Sequence, residues 1–424
     1  MAITLFGVVP VLAACGGTTP TSSSGGAPIA VADLAPFTGV DAILGPGYLA
    51  GCYAAATEIN AAGGVLGGRR FKCQAVDTRG DPADAIPATR QMFASTSNLA
   101  LVVGVTSDEA SAVVPIINSN KVVVFSANGE SEFDQSPFPY FYRLTPPDLL
   151  EAYAMVAIAH YKYHYQRVAL AFGNDIGSQT FIQPSINAVS KAGMTLAINE
   201  TLNLNAQSYR TEVAKILAAK PDVIMTEALG PAEAIFLSEL KQQNGGNLIP
   251  VIGTNATIDP TWYSAVVAAV GQTQLAKYFV ADSLHSDFSG PAYDVYKSNL
   301  LAASGQMANI DKYATHPQSL HMYDAVNLTA LAMVEAKSAT PSVFRPDINK
   351  IANGVSGAVV VHNFKDGAAA IAQGKAIRFI GAGGATHFDQ YNNSTVAFDV
   401  DNYGSGGAVN IIAQVSPTDV TSLS

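Results

Sequence analysis

The chain has 424 residues, 49% apolar and 13% charged, which is material for two or three sizeable cores and excludes a disordered protein. Its 23 Lys and Arg stand against 33 Asp and Glu, a formal charge of −10, and no basic run appears. That balance argues against a nucleic-acid partner or an anionic membrane surface.

Residues 2–14 are apolar and uncharged and end in Leu12-Ala13-Ala14-Cys15, which looks like a bacterial lipobox. Cys15 is then the lipidated residue, and the Thr-, Ser-, Gly- and Pro-rich residues 18–28 read as a flexible tether. The apolar run lacks the basic start of a complete signal peptide, so the expectation is a signal sequence that begins upstream of residue 1. No other run approaches the ~18 apolar residues of a spanning helix, so the expected anchor is lipid alone.

The organising stretch follows. Ile29–Leu34 is an apolar strand; small residues from Gly51 to Thr57 and then Ile59 form a helix that should end near Ala62. Gly63 suits the left-handed position that closes a helix, Gly67-Gly68 turns the chain, and Phe71–Asp77 alternates as a strand. Strand, helix and strand with short connections give a right-handed crossover in a parallel sheet.

The run Asn60-Ala61-Ala62-Gly63-Gly64-Val65-Leu66-Gly67-Gly68-Arg69-Arg70, followed by Asp77-Thr78-Arg79-Gly80-Asp81-Pro82-Ala83-Asp84-Ala85, resembles a known family. It is similar to the extracytoplasmic solute receptors of ABC transporters, of the leucine/isoleucine/valine-binding type. The resemblance spans roughly residues 28–415. It implies the α/β type I periplasmic binding fold: two Rossmann-like lobes with parallel-sheet cores, a three-crossing hinge, and a ligand cleft between the lobes. It implies a receptor without catalytic activity or cofactor, working as a monomer with a permease and an ATPase.

With Cys15 lipidated, Cys52 on the first helix and Cys73 on the next strand remain as a pair in an oxidising compartment. A disulfide is the favoured reading, two buried free thiols the alternative; the spacing matches no zinc pattern.

Onward, Pro87–Ser97 reads as helix, Leu99–Gly104 as a buried strand, Ala110–Asn118 as a helix capped by Ser107 or Asp108, and Lys121–Phe125 as a strand. Ligands of open α/β sheets bind beyond the carboxyl ends of strands, so the loops 105–109 and 126–131 are the first candidates. Tyr140–Pro146 resembles the family's first hinge crossing, and Leu149–Tyr163 is a long helix. His160 and His164 on it share a face but lack a third ligand, so no metal is expected. The strands Arg167–Phe172, Met194–Glu200, Pro221–Thr226 and Leu248–Gly253 repeat the pattern, with helices between. The chain should return to lobe one after Tyr278 and cross a third time near Gly383. The expected parts are a leader and tether (1–27), lobe one (28–146 plus 279–383) and lobe two (147–278 plus 384–424).

Enzyme motifs fail on context. Gly45-Pro46-Gly47-Tyr48-Leu49-Ala50-Gly51 lies too far from its strand for a dinucleotide loop, and Pro46 removes a needed N–H. Ser238-Glu239-Leu240-Lys241 falls in mid-helix without companions.

In the amino-acid receptors of this family, a hydroxyl and backbone N–H groups of lobe one hold the carboxylate. Here that points to Ser107 and to the loop Ser126–Glu130, which includes Asn128. The family's acidic ammonium ligand aligns with Asn255, which carries no charge, and its aromatic contacts align with Ile176 and Leu229. Glu227, Asp108 or Glu130 then supplies the missing charge, or the solute is not an α-amino acid. A branched-chain amino acid or an amide-like relative is the expected solute. Two roles stay open: delivery to a permease, or sensing of the same solute for a signalling partner.

Overall fold

The computed structural model describes residues 26–394 and 397–423. Cys15 and residues 1–25 of the leader and tether expected over 1–27 lie outside the described residues. Two sheets organise the rest. The first has strand order β2-β1-β3-β4-β5, from β1 (Ile29–Ala35), β2 (Phe71–Asp77), β3 (Leu99–Gly104), β4 (Val123–Ser126) and β5 (Phe141–Arg143), all parallel. The second has seven strands. Its parallel part is β6 (Arg167–Gly173), β7 (Thr195–Leu202), β8 (Val223–Glu227), β9 (Val251–Gly253) and β10 (Phe279–Leu284). Two antiparallel strands extend it, β13 (Phe398–Tyr403) and β14 (Val409–Val415). A short pair, β11 (Val359–Val361) and β12 (Ile377–Phe379), packs with lobe one.

Both faces of each sheet carry helices, so inner strands such as Leu99-Ala100-Leu101-Val102-Val103-Gly104 read as continuous apolar runs rather than alternating ones. The helix Leu44–Ala61 approaches the long helix Pro317–Ala336 closely because its residues are small. A Cβ on Gly51 would lie 2.2 Å from the Ser319 carbonyl oxygen, so only glycine allows this crossing. Its polar anchor is Glu58, nearly buried, which accepts from the Tyr323 hydroxyl, Asn327 Nδ2 and the Phe364 N–H. The helix ends as its glycines predict, with Gly63 at φ +101°.

Cys52 and Cys73 form a disulfide, their Cα atoms 6.2 Å apart, joining helix and strand of the first crossover. Replacing both by alanine should remove roughly 2–4 kcal/mol, largely by freeing the unfolded chain. Urea melts measure that loss, and two reactive thiols in unfolded, unreduced wild type would refute the pairing.

Several boundaries differ from expectation. The second helix runs Pro82–Ser95, earlier than 87–97, because Asp81 caps it through the Ala83 N–H. The third runs Ser107–Ser119, and its cap is Thr106 rather than Ser107 or Asp108. Glu109 closes the box by accepting from the Thr106 N–H (3.0 Å) and hydroxyl (2.7 Å). The return to lobe one comes after Leu284, not after Tyr278, since β10 pairs with β9 and β13 inside the second sheet. The third crossing also lies later than Gly383: Phe388 packs in the lobe-one core, and its N–H donates to Asn353. Among the described residues no helix is long and apolar enough to cross a membrane.

The first and third crossings run side by side. Arg143 N–H donates to the Asn392 carbonyl and Ser394 N–H to the Arg143 carbonyl. The fully buried Arg143 guanidinium binds Asp134, the Glu130 carbonyl (3.0 Å) and Asn393 Oδ1 (2.9 Å). A hinge built of adjacent strands pinned by one cation lets two rigid lobes move as bodies.

Candidate functional site

The carboxyl ends of both parallel sheets face one gap. Its walls are Leu44, Tyr48, Thr106, Ser107, Asp108, Ala127 and Gly129 from lobe one, with Thr145 and Gln318. Opposite stand Asp148, Asp175, Gly177, Phe181, Glu227, Leu229, Asn255 and Ala256. The lobes touch across it. Asp108 Oδ1 accepts the Ile176 N–H from the other lobe at 2.9 Å, and Gln318 Nε2 donates to Asn255 Oδ1 at 3.0 Å. Ile43 of lobe one is buried in the apolar cluster of lobe two.

Of the residues proposed from sequence, Ser107, Asp108, Glu227, Leu229 and Asn255 line the gap. Ser126 and Asn128 lie behind the wall, fully buried; Ser126 Oγ donates to the Val105 carbonyl at 2.6 Å and accepts from Asn128 Nδ2. They set the loop that presents Ala127 and Gly129. Glu130 also lies behind it, and its carbonyl serves Arg143. Ile176 turns outward, 45% exposed, and contributes its backbone N–H instead of a side chain.

Sequence reasoning missed Tyr48, Leu44, Phe181, Thr145, Asp148 and Gln318. Tyr48 had a signal of sorts, since it follows Gly45 and Gly47, which make room for the Pro36 carbonyl and the His316 ring at the start of this helix. Phe181 and Gln318 had none, because their elements reach the gap only through the way the lobes pack.

Among the described residues that line the gap there is no Lys, Arg or His, while Asp108, Asp148, Asp175 and Glu227 all face it. Burial pushes the Glu227 carboxyl well up, and the nearby Asp175 charge adds to it, although Ser178 Oγ (3.0 Å) and the Thr254 hydroxyl donate to it. Burial likewise raises Asp148 to about 7. Asp108 rises through burial and then through Asp175.

Asn255 stands where the family's acidic residue was expected, and its backbone N–H and side-chain amide both give to Glu151, the N–H to Oε1 at 2.8 Å and Nδ2 to Oε2. Asn255→Asp therefore sets a second carboxylate against buried Glu151 and should cost about 1–3 kcal/mol without creating an ammonium site. Urea denaturation reads the loss. A stabilised variant with improved leucine binding would show the assignment wrong.

The fold and the interlobe gap define a solute-binding receptor of two lobes. The model of the family described as periplasmic binding protein matches residues 28–398, and the chain belongs to that family. Its members bind solutes and are not enzymes, and membership implies an exported protein. Solved structures of the same fold include the leucine-binding protein LivK of Thermotoga maritima, 17% identical at a TM-score of 0.72, over 92% of this chain and 99% of that one. LivJ of Streptococcus pneumoniae, solved with isoleucine, is 17% identical at 0.73 over 92% and 100%. A solute-binding protein of R. palustris, solved with 4-hydroxybenzoate, is 14% identical at 0.69 over 91% and 96%. At these identities the likeness establishes the fold alone. No curated protein matches by sequence.

Proposed function

We propose that this protein is the extracytoplasmic receptor of an ABC uptake system and that its solute presents positive charge or N–H donors to the interlobe gap. The observation that carries the reading is the wall itself: four carboxylates and no cation in a gap between two hinged lobes. A lone carboxylic acid, such as the 4-hydroxybenzoate of the R. palustris structure, meets like charge there. An ammonium or amide meets acceptors. Among the solutes expected from sequence, the amino-acid and amide classes both satisfy this. Closure of the lobes around the solute supplies the signal that a permease reads.

The lipobox favours transport over sensing, because a tether at residues 18–28 from lipidated Cys15 keeps the receptor near its permease. Cys15→Ser should release the protein from membranes while leaving solute affinity unchanged; sedimentation of the variant with membranes would count against the anchor. The functional test is uptake of the bound solute by cells with and without the gene. Loss of uptake is expected, and undiminished uptake with loss of a transcriptional response would favour the sensing role.

A further inference from the structure

The lobes also meet beside the gap, where two helices begin opposite each other. His316 caps the long helix Pro317–Ala336 of lobe one, its Nδ1 accepting the Ser319 N–H at 3.2 Å. Asp259 caps the helix Pro260–Val270 of lobe two, its Oδ1 accepting the N–H groups of Thr261 (2.6 Å) and Trp262 (3.0 Å). Each lobe thus fixes one side chain by its own cap and leaves that side chain's other polar atom for the opposite lobe. Those two atoms face each other: His316 Nε2 lies 3.5 Å from Asp259 Oδ2, and both residues are buried.

The chemistry of the two atoms matches. A neutral imidazole that accepts at Nδ1 carries its ring proton on Nε2, so the atom turned to Asp259 is a donor. Asp259 Oδ2 is a buried carboxylate oxygen without a hydrogen bond, an arrangement that costs free energy until a donor reaches it. An N–H···O bond is commonly about 2.9–3.0 Å long, so a further approach of about 0.5 Å completes this one. The imidazole is held ready for it. A Cβ on Gly47 would lie 2.6 Å from His316 Cε1, so this glycine leaves the ring its place, and the Tyr313 ring stands edge-on to it with centroids 5.5 Å apart. On either side of His316 the same strip reaches lobe two again. Thr315 Oγ1 accepts the Val409 N–H at 3.4 Å, and Gln318 Nε2 donates to Asn255 Oδ1 at 3.0 Å.

We infer that His316 and Asp259 form a latch between the lobes, completed as they close, which sets how readily the gap opens to a solute. The latch serves the receptor role proposed above, but its test needs no solute, so its failure leaves that role to the uptake assay. Native-state hydrogen exchange of the unliganded exported chain reads lobe opening directly, because a bonded amide exchanges when its bond opens. The Ile176 and Val409 amides bond across the lobes, to Asp108 and Thr315, whereas the Val105 N–H bonds the Leu34 carbonyl within lobe one. His316→Asn keeps a side-chain acceptor for the Ser319 N–H and removes Nε2; Asp259→Asn keeps Oδ1 and removes the charge. Each should speed exchange at Ile176 and Val409 about tenfold, the low end for losing a hydrogen bond to a charged group, and leave Val105 unchanged. The double variant should be no faster than the faster single one, since both substitutions remove the same bond. Unchanged exchange at Ile176 in both single variants overturns the latch. Effects that multiply in the double variant overturn it too, and so does an equal acceleration at Val105, which reports loosening of lobe one instead of opening between the lobes.

Discussion

Replacing Arg143 by leucine should cost about 2–4 kcal/mol of stability, since two buried acceptors lose a charged donor at about 1–3 kcal/mol each, while Asp134, 30% exposed, can turn to water. The guanidinium is fully buried and has three separate acceptors: the Asp134 carboxylate, the Glu130 carbonyl and Asn393 Oδ1. All three lose their donor at once, and the methylenes of leucine restore only part of the packing. Because Asn393 belongs to the third crossing and Arg143 to the first, the loss also loosens the hinge. Urea denaturation should show a lower midpoint in the single variant. The double variant Arg143→Leu, Asp134→Leu should recover part of the loss, since it no longer strands a carboxylate. A single variant as stable as the wild type would mean that the guanidinium contributes nothing beyond its bulk.

Raising the pH should destabilise the unliganded protein. Burial raises Asp148 and Glu109 to about 7 and Glu130 to about 8, whereas an unfolded carboxyl titrates near 4. Above pH 4 the native state therefore binds protons that the unfolded chain has released. Each such proton lowers stability by about 1.4 kcal/mol per pH unit until the native group also ionises. His285, raised by its hydrogen bond to Asp399, acts in the same direction, its stabilising charge being lost as pH rises. His321 opposes them: burial lowers it to about 4, so its neutral form disfavours the fold in acid. One imidazole is outnumbered by three carboxyls. With water entry and relaxation allowed for, the net loss from pH 5 to pH 8 is about 2–4 kcal/mol. Thermal melts across that range decide it, and a midpoint that climbs steadily from pH 5 to pH 8 would contradict the account. A cationic ligand favours the ionised wall, so its affinity should rise over the same window.

The fold was legible because its signals are local and repeated. The apolar run Leu99–Gly104 and the glycine stop at Gly63 announce a parallel sheet and its crossover without tertiary knowledge. The pairing of Cys52 with Cys73 followed from helix and strand being neighbours in one crossover. Boundaries of the lobes were less legible. Phe279–Leu284 starts apolar like strands of either sheet and then carries Asp282 and Ser283, and only its pairing with β9 and β13 assigns it to lobe two.

The site was half legible for a related reason. Strand ends point to loops, so Ser107, Asp108, Glu227 and Asn255 could be named. Which side chain of a loop faces the gap depends on its hydrogen bonds. Ser126 turns inward to the Val105 carbonyl, and Asn255 spends its amide on Glu151, a residue 104 positions away. Asp41 illustrates the limit: an ordinary turn residue in the sequence becomes a fully buried carboxylate, its Oδ2 set against Gly80 of a loop about 40 positions on.

The most direct test of the receptor account is thermal melting of the exported chain against a panel of amino acids, amides, amines and aromatic acids, run in parallel on Glu227→Gln. A solute present at 100 times its Kd stabilises by about 2.7 kcal/mol. The account predicts that at least one nitrogen-bearing solute raises the midpoint of the wild type and that Glu227→Gln largely abolishes the rise. A rise that persists undiminished in Glu227→Gln combined with Asp175→Asn would place the binding site outside the interlobe gap and contradict the account.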